Sequence, residues 1–408
     1  MMGESSQSTG MNGAHIKRDA PAHSKIQKAK GRNSSIELLR LIAMLMIVGF
    51  HFVFCNSDTA QLSAQPTSVT KFIYQVILMG GGWVGNFIFF VISTWFLLDR
   101  EATLRKSLRR IWILERELLF WSVVWFAVYM FLREHSMHLD GVSMKKLILQ
   151  SILPLSSNLW WYPTSYALYL LFLPFLIKGT KNLDAISHRN LAVICLILWG
   201  VGGLLPKVQF NLTNSSVFVF IYWFILISYY RWYMRPFSKK FCVGLVIAGI
   251  ALNVLYWLAA ETLHLCTGKF LLPSDFIFDY WKLPSMMIGF VMFLLFEKHH
   301  FSSKVVNWIA GSAFGVYLIH YHPVCHELWS TYLPLKTLFA SSHPILNGMT
   351  CIAGIFLCCL LLDMARHVIF ALTIDKHKGA FFDKLYVYAE KRKIMSILKA
   401  TNTAITNL

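Results

Sequence analysis

Residues 40–51 read RLIAMLMIVGFH, ten apolar or small residues between an arginine and a histidine. In the wider stretch, residues 36–56, the only side chains that carry or readily gain a charge at neutral pH are Glu37, Arg40 and His51. A helix over this range is about 30 Å long, which is enough to cross the hydrocarbon core of a bilayer. The stretch therefore predicts a membrane-spanning helix that carries polar groups towards both of its ends.

The composition of the 408-residue chain is that of a membrane protein. Hydrophobic residues make up 56% of the sequence and charged residues 14%, whereas soluble domains are about 45–50% apolar and about 25% charged. Further apolar segments follow the first one, at 72–98, 111–132, 159–177, 191–205, 216–230, 241–260, 281–296, 305–323 and 347–371. We therefore predict an all-α fold, a polytopic integral-membrane bundle of about ten transmembrane helices.

The distribution of positive charge predicts how the chain is oriented. The net charge is +18, and most of the 38 lysine and arginine residues fall in alternate connecting segments, namely 1–35, 99–110, 178–190, 231–240, 297–304 and 373–408. Because loops rich in lysine and arginine remain in the cytoplasm, both termini are predicted to be cytoplasmic, with the chain in the plasma membrane. No basic groove motif accompanies the charge, so a nucleic-acid partner is not expected.

Two polar tails are predicted to flank one membrane domain, residues 36–372. Residues 1–35 are rich in serine and lysine and are predicted to be a disordered cytoplasmic tail. Residues 373–408 form a second basic cytoplasmic tail. Within it, residues 379–398 mix apolar side chains with a KRK cluster, which fits either a helix on the inner leaflet or a solvated segment. The first apolar run is too long for a signal peptide, so no cleavage is expected.

Ionisable groups inside a bilayer are costly and mark candidate functional sites. Arg40 and His51 are eleven residues apart, about three helical turns or roughly 16 Å, so they share one face of the helix. Glu37 lies one turn before Arg40 and can pair with it. An arginine stays charged, whereas a histidine exchanges protons near neutral pH. This face therefore suits an anionic cytoplasmic donor that extends an arm into the membrane. The structural alternatives are an arginine that snorkels and a histidine that only bonds a neighbouring helix.

Several segments resemble one family. Residues 35–52, SIELLRLIAMLMIVGFHF, resemble the first helix of the acyltransferase-3 family of integral-membrane acyltransferases, whose hallmark is an arginine, ten residues and a histidine, usually preceded by an acidic residue. Four later segments are similar to family motifs in the same order: GNFIFFVISTWFLL (85–98), LRRIWILERELLFWS (108–122), NLWWYPTSYALYLLFLPFL (158–176) and SAFGVYLIHYHPV (312–324). The resemblance spans residues 36–371. The last two segments look most like the branch associated with bacterial exopolysaccharide and cell-envelope glycans.

The resemblance implies transfer of an acyl group, most often acetyl from acetyl-CoA, to a hydroxyl of a carbohydrate. The acceptor is either a polymer or a lipid-linked precursor, and no permanently bound cofactor is expected. His51 would act as general base or through an acyl-histidine intermediate. Glu37 would hold Arg40, and Arg40 would steady the donor. Arg109 and Arg110 would bind the nucleotide phosphates of CoA, unless they only form a solvated loop.

Three residues in later segments are candidates for substrate contacts. Ser93 is placed either to donate a hydrogen bond to the reacting carbonyl or to bond back to its own helix. Trp160 opens the fourth segment, as a sugar-stacking ring or as part of an aromatic belt. Tyr317 belongs to the motif at 312–324 and is a candidate for substrate binding.

Three histidines follow one another near the end of the ninth segment. His320, His322 and His326 have a spacing that resembles metal ligands, but Pro323 breaks the helix between them and no acidic ligand is near in sequence. We therefore predict no metal site. His320 is instead a candidate for the polar lining of the acceptor cavity, with a structural role as the alternative.

A second class of function is a proton-coupled transporter or flippase of a sugar or lipid-linked sugar. Buried arginine and histidine residues would suit that function as well. Transporters commonly show internal repeats and helices broken at the membrane midplane, and neither is evident in the sequence apart from the interruption near Pro323. No partner domain is fused to the membrane segments, so any helper protein outside the membrane is expected to be a separate chain.

Overall fold

The computed structural model describes residues 32–56, 62–137, 139, 141–205, 217–268 and 279–391. Over these residues the regular structure is helical and contains no strand. The all-α prediction is confirmed for this part of the chain. Most of the predicted tail at 1–35, and residues 392–408 of the second tail, lie outside the described residues.

The first half of the fold contains helices α1 to α6. They are α1 (Ser34–Asn56), α2 (Val69–Phe72), which continues through a wider π-helical stretch (Ile73–Met79) into α3 (Gly80–Leu97), α4 (Leu104–Glu134), α5 (Met144–Ile152) and α6 (Trp161–Asn182). Helix α1 begins two residues before the predicted span, at Ser34, whose hydroxyl contacts Asn307.

The second half contains helices α7 to α16. They are α7 (Ala185–Cys195), extended by π-helical (Leu196–Val201) and 3-10 (Gly202–Leu204) turns, α8 (Val217–Tyr233), α9 (Lys239–Thr267), α10 (Leu283–Lys298), α11 (Lys304–Ala310), α12 (Ala313–His320), α13 (Pro323–Tyr332), α14 (Leu335–Phe339), α15 (Pro344–Leu372), a 3-10 turn (Ile374–His377) and α16 (Ala380–Lys391).

Five stretches of helix among the described residues are long and apolar enough to cross a membrane. They are Ser34–Cys55, Val69–Leu97, Ala185–Leu204, Lys239–Thr267 and Pro344–Leu372. The other segments noted in the sequence overlap α4, α6, α8 and α10, and the segment at 305–323 is divided into α11 and α12. The count of about ten spans and the position of the termini stay predictions.

Helices α1 and α3 lie in close contact because glycines line the face of α3 that meets α1. A Cβ atom built on Gly85 would lie 2.6 Å from the carbonyl oxygen of Ala43, and one on Gly82 would lie 2.0 Å from Cβ of Phe50. Small residues allow the backbones of membrane helices to approach in this way. The sequence GGGWVGN at 80–86 thus fixes α1, which carries the candidate site, against its neighbour.

Most residues of helix α1 are buried, although Leu38 and Leu45 are exposed, and the later helices present apolar faces outward. Beside α3, helix α1 packs against α12 and α15. In contrast, Leu255 of α9 and Leu361 of α15 are each 63% exposed. Exposed leucines on long apolar helices are expected where a protein faces lipid rather than water.

A buried ion network joins α15 to α4. The guanidinium of Arg366 donates hydrogen bonds to both carboxylate oxygens of Asp363, at 2.7 and 2.9 Å, and forms an ion pair with Glu117 at 2.9 Å. The indole N–H of Trp121 donates to Asp363 at 2.9 Å. Because the guanidinium of Arg366 faces the two carboxylates of Asp363 and Glu117, these charges are compensated within the bundle.

Candidate active site

The carboxylate of Glu37 holds two guanidinium groups where α1 begins. It accepts a hydrogen bond from Arg40 at 2.6 Å, the spacing expected for neighbours one helical turn apart. It also accepts two from Arg32, each at 2.7 Å. The side chain of Arg40 is 25% exposed, whereas that of Glu37 is 6% exposed. Arg40 is therefore oriented by a buried carboxylate and remains accessible from its end of the bundle.

The imidazole of His51 is buried near the other end of α1. Its Nδ1 lies 2.8 Å from Nε2 of His320, and His320 Nδ1 lies 2.6 Å from the carbonyl oxygen of Val316. The ring of Tyr321 stacks on His51 with centroids 4.1 Å apart, and the ring of Tyr317 lies 6.1 Å away. The fold thus brings together the candidates His51, Tyr317 and His320 from helices that are distant in sequence.

A run of tyrosines connects the surroundings of Arg40 with those of His51. The guanidinium of Arg40 interacts electrostatically with the phenols of Tyr162 and Tyr166 on α6. The ring of Tyr162 lies 6.5 Å from that of Tyr317, which in turn neighbours His51. The buried hydroxyl of Tyr162 has no hydrogen-bond partner among the described residues. A buried hydroxyl without a partner costs free energy, so this group is a candidate for binding a substrate atom.

Sequence reasoning did not single out Tyr166, and it considered Tyr162 only as part of the aromatic cluster with Trp160 at the start of the fourth segment. The signal was present, because tyrosines at 162, 166 and 169 recur at intervals of four and three residues and so occupy one face of α6. Arg32 was also missed, since it was assigned to the polar tail.

Ser93 of α3 is engaged within the protein. Its hydroxyl donates a hydrogen bond to the carbonyl oxygen of Phe89, one turn earlier at 3.0 Å, and it is also hydrogen-bonded to the phenol of Tyr166. The hydroxyl of Ser93 therefore bonds back to its own helix, which was one of the two arrangements expected from the sequence. It also orients Tyr166.

The adjacent arginines Arg109 and Arg110 of α4 have different surroundings. Arg109 donates a hydrogen bond to the carbonyl oxygen of Lys378 at 2.8 Å and one to Asp383 of α16 at 3.1 Å. Arg110 interacts electrostatically with Tyr166 and makes no hydrogen bond or ion pair to another residue in the part of the chain that the structure describes. Arg110 therefore belongs with the Arg40 end of the site, whereas Arg109 anchors the C-terminal helix.

Trp160 lies apart from the His51 group. Its ring is fully buried and packs against His322 with centroids 5.8 Å apart. His322 also stacks on Trp125, with ring planes 6° from parallel. The indole N–H of Trp160, like the hydroxyl of Tyr162, is buried without a hydrogen-bond partner among the described residues, and the stacking of a sugar on this ring stays a prediction.

The rings of His320 and His322 use nitrogens in contacts within the protein. Both ring nitrogens of His320 face other groups, and Nδ1 of His322 accepts a hydrogen bond from the amide of Val324. Among the described residues no group of three or more histidine, cysteine, aspartate or glutamate side chains is placed to hold a metal ion.

Comparison with known proteins identifies one family. The model of the acyltransferase-3 family, which describes an acyltransferase domain, matches residues 33–364. The match includes Glu37, Arg40, His51 and the helices that surround them. No curated protein and no solved structure is significantly similar to the chain.

Proposed function

The chain belongs to the acyltransferase-3 family, and we propose that it is a membrane enzyme that transfers an acetyl group from acetyl-CoA to a carbohydrate hydroxyl. The acceptor in this proposal is a cell-surface or exopolysaccharide sugar or its lipid-linked precursor. The observation that carries the proposal is the position of Arg40 and His51 on one face of α1. The ring of Tyr162 lies near both Arg40 and Tyr317, and its buried hydroxyl has no hydrogen-bond partner among the described residues. No contact in the described residues favours the transporter alternative.

The proposed topology has ten spans, both termini in the cytoplasm and the chain in the plasma membrane. It is supported by the concentration of lysine and arginine in alternate connecting segments. In this orientation Arg40 and Arg110 lie towards the cytoplasm, where acetyl-CoA is found, and His51 lies beyond the middle of the membrane.

In the proposed reaction the donor enters from the cytoplasmic end. The phosphates of CoA are held by Arg110 and Arg40, since guanidinium groups form strong charge-assisted hydrogen bonds with phosphate oxygens. The pantetheine arm extends past Tyr162 and Tyr317, which brings the thioester to His51. In this proposal the Tyr162 hydroxyl donates to a carbonyl oxygen of the donor, which would satisfy its missing hydrogen bond.

His51 acts as general base in this proposal. The acceptor hydroxyl transfers its proton to the imidazole while its oxygen forms a bond with the acetyl carbonyl carbon. The carbon–sulfur bond breaks, and the departing thiolate takes the proton from the imidazolium. The products are the acetyl ester and CoA with a free thiol, and His51 is again neutral. A base of this kind contributes about 10²–10⁴-fold to a rate.

The test is the His51→Ala variant, assayed for transfer of label from radiolabelled acetyl-CoA into the glycan fraction of membranes. We expect transfer to fall by at least about 100-fold. His188→Ala is the matched control, because His188 is equally buried but bonds the carbonyl of Ile225 at a distance from His51. Transfer that persists in correctly folded His51→Ala protein would refute the proposal.

A further inference from the structure

His320 makes two hydrogen-bonding contacts through its ring, one on each nitrogen. Nε2 faces Nδ1 of His51 at 2.8 Å, and Nδ1 faces the carbonyl oxygen of Val316 at 2.6 Å. Neither imidazole is more than 2% exposed. The sequence suggested that His320 lines the acceptor cavity. Since both of its ring nitrogens are already engaged, neither nitrogen is free to bond an acceptor sugar.

Both imidazoles are neutral in this environment. The side chains in ring contact with them are aromatic or histidine: Phe50, Tyr317, Tyr321, His326 and Trp329. No aspartate or glutamate contacts either ring among the described residues. An imidazolium buried without a counter-ion is strongly disfavoured, and two neutral rings joined nitrogen to nitrogen must provide one donor and one acceptor.

The carbonyl of Val316 determines which ring donates. A carbonyl oxygen only accepts, so the proton of neutral His320 is on Nδ1, and its Nε2 carries a lone pair. His51 must then donate its Nδ1–H to that lone pair. The proton of His51 is thereby fixed on Nδ1, and its Nε2 is left as the basic nitrogen.

We infer that His320 is a positioning residue that holds His51 in the Nδ1-protonated tautomer, with Nε2 free to take the proton of the acceptor hydroxyl. This inference rests on the proposed function, in which His51 is the base. In many enzymes a carboxylate accepts a hydrogen bond from the catalytic imidazole and so fixes its tautomer and orientation. Here His320, itself held by the Val316 carbonyl, would have that role.

The surroundings also fix the plane of each ring. Tyr321 stacks on His51 with planes 25° apart, and Trp329 stacks on His320 with planes 3° apart. The bond from His320 to Val316 is made within α12, one turn back along the helix. The acceptor nitrogen is therefore held by a rigid element rather than by a loop, as a precise site requires.

A pair of variants tests the inference. In His320→Gln the side-chain oxygen reaches about as far as Nε2 and can still accept from His51, whereas in His320→Asn the same amide is too short. We expect His320→Gln to keep the transfer rate within about tenfold, and His320→Asn to lower it by at least about 100-fold at saturating acetyl-CoA. The KM for acetyl-CoA should be the same in both.

Equal rates for the glutamine and asparagine variants would overturn the inference, and so would a change confined to KM. Nitrogen NMR of the wild-type protein with labelled histidine, assigned by difference from His51→Ala, gives a second readout that needs no folded His320 variant. A protonated Nε2 on His51 would refute the tautomer. Activity that survives His51→Ala refutes the proposed function instead, so the two failures are distinguishable.

Discussion

Replacing Arg110 by alanine should weaken binding of acetyl-CoA, whereas replacing its neighbour Arg109 should not. Arg110 interacts electrostatically with Tyr166, as Arg40 does, and makes no hydrogen bond or ion pair among the described residues. Arg109 already donates to the Lys378 carbonyl and to Asp383. The guanidinium of Arg110 is thus available to bind a phosphate, whereas that of Arg109 is already hydrogen-bonded within the protein.

The size of the effect follows from the contact that is lost. A hydrogen bond to a charged group contributes about 1.5–3 kcal/mol, and about 1.4 kcal/mol corresponds to a tenfold change in affinity. Because Arg110 is only partly buried, solvent screening favours the lower value. We therefore expect KM for acetyl-CoA to rise by roughly tenfold in Arg110→Ala, with little change in the rate at saturation.

The assay measures initial rates of label transfer against acetyl-CoA concentration in solubilised membranes. Arg109→Ala is the matched control, because it removes the same charge one residue away and breaks contacts that are partly exposed. Its KM should change by less than about fivefold, the effect of about 1 kcal/mol. In this variant helix α16 should become more accessible to protease. An equal or larger rise in KM for Arg109→Ala would refute the assignment of Arg110 to the donor.

Two further predictions concern stability. Gly85→Ala should lower the melting temperature in detergent and reduce transfer, because its Cβ would lie 2.6 Å from the carbonyl oxygen of Ala43 and force α1 and α3 apart, at a cost of about 1–3 kcal/mol. Gly179→Ala, with no neighbouring atom within 4 Å, should be neutral, and equal melting temperatures for the two variants would contradict the close approach. Burial raises the pKa of Asp279, just before α10, to about 7 against the opposing charge of Lys282. The folded protein therefore holds the proton of Asp279 more tightly than the unfolded chain does. The contribution of this proton to the free energy of unfolding is complete below about pH 4 and is lost as the pH rises through about 7. The melting temperature of Asp279→Asn should fall less than that of the wild type between about pH 5 and about pH 8, and parallel curves would show that Asp279 does not titrate in this range.

The residues on α1 could be predicted from the sequence because helical periodicity alone decides their relationship. Glu37, Arg40 and His51 share a face whatever the rest of the chain does, and the ion pair between Glu37 and Arg40 needs only one turn of helix. The contact from His51 to His320 spans 269 positions along the chain and depends on how α12 packs beside α1. No local pattern specifies that packing.

Arg109 and Arg110, which lie on α4 rather than in a loop, illustrate a second limit of the sequence. Neighbouring residues on a helix point about 100° apart, so Arg109 and Arg110 cannot both face the site. Which one does so depends on the positions of α6 and α16. Residues 379–398 were expected to form either a helix on the inner leaflet or a solvated segment. The packing of α16 (Ala380–Lys391) on Arg109 could not be predicted from the composition of this segment.

Under the proposed function, α1 fixes the distance between the residue that binds the donor, Arg40, and the residue that acts as base, His51. These two roles need opposite surroundings. Arg40 must keep contact with water to capture an anion, whereas His51 must be dry and neutral to serve as a base; their exposures reflect this difference. A continuous helix holds them roughly 16 Å apart on one face. A donor whose charge stays at Arg40 can place its acyl carbon at His51 only if a flexible arm of that length separates the two. The pantetheine arm of CoA has such a length, and small activated acetyl donors do not. Selection of the donor is therefore set by the spacing along α1 as much as by any single contact.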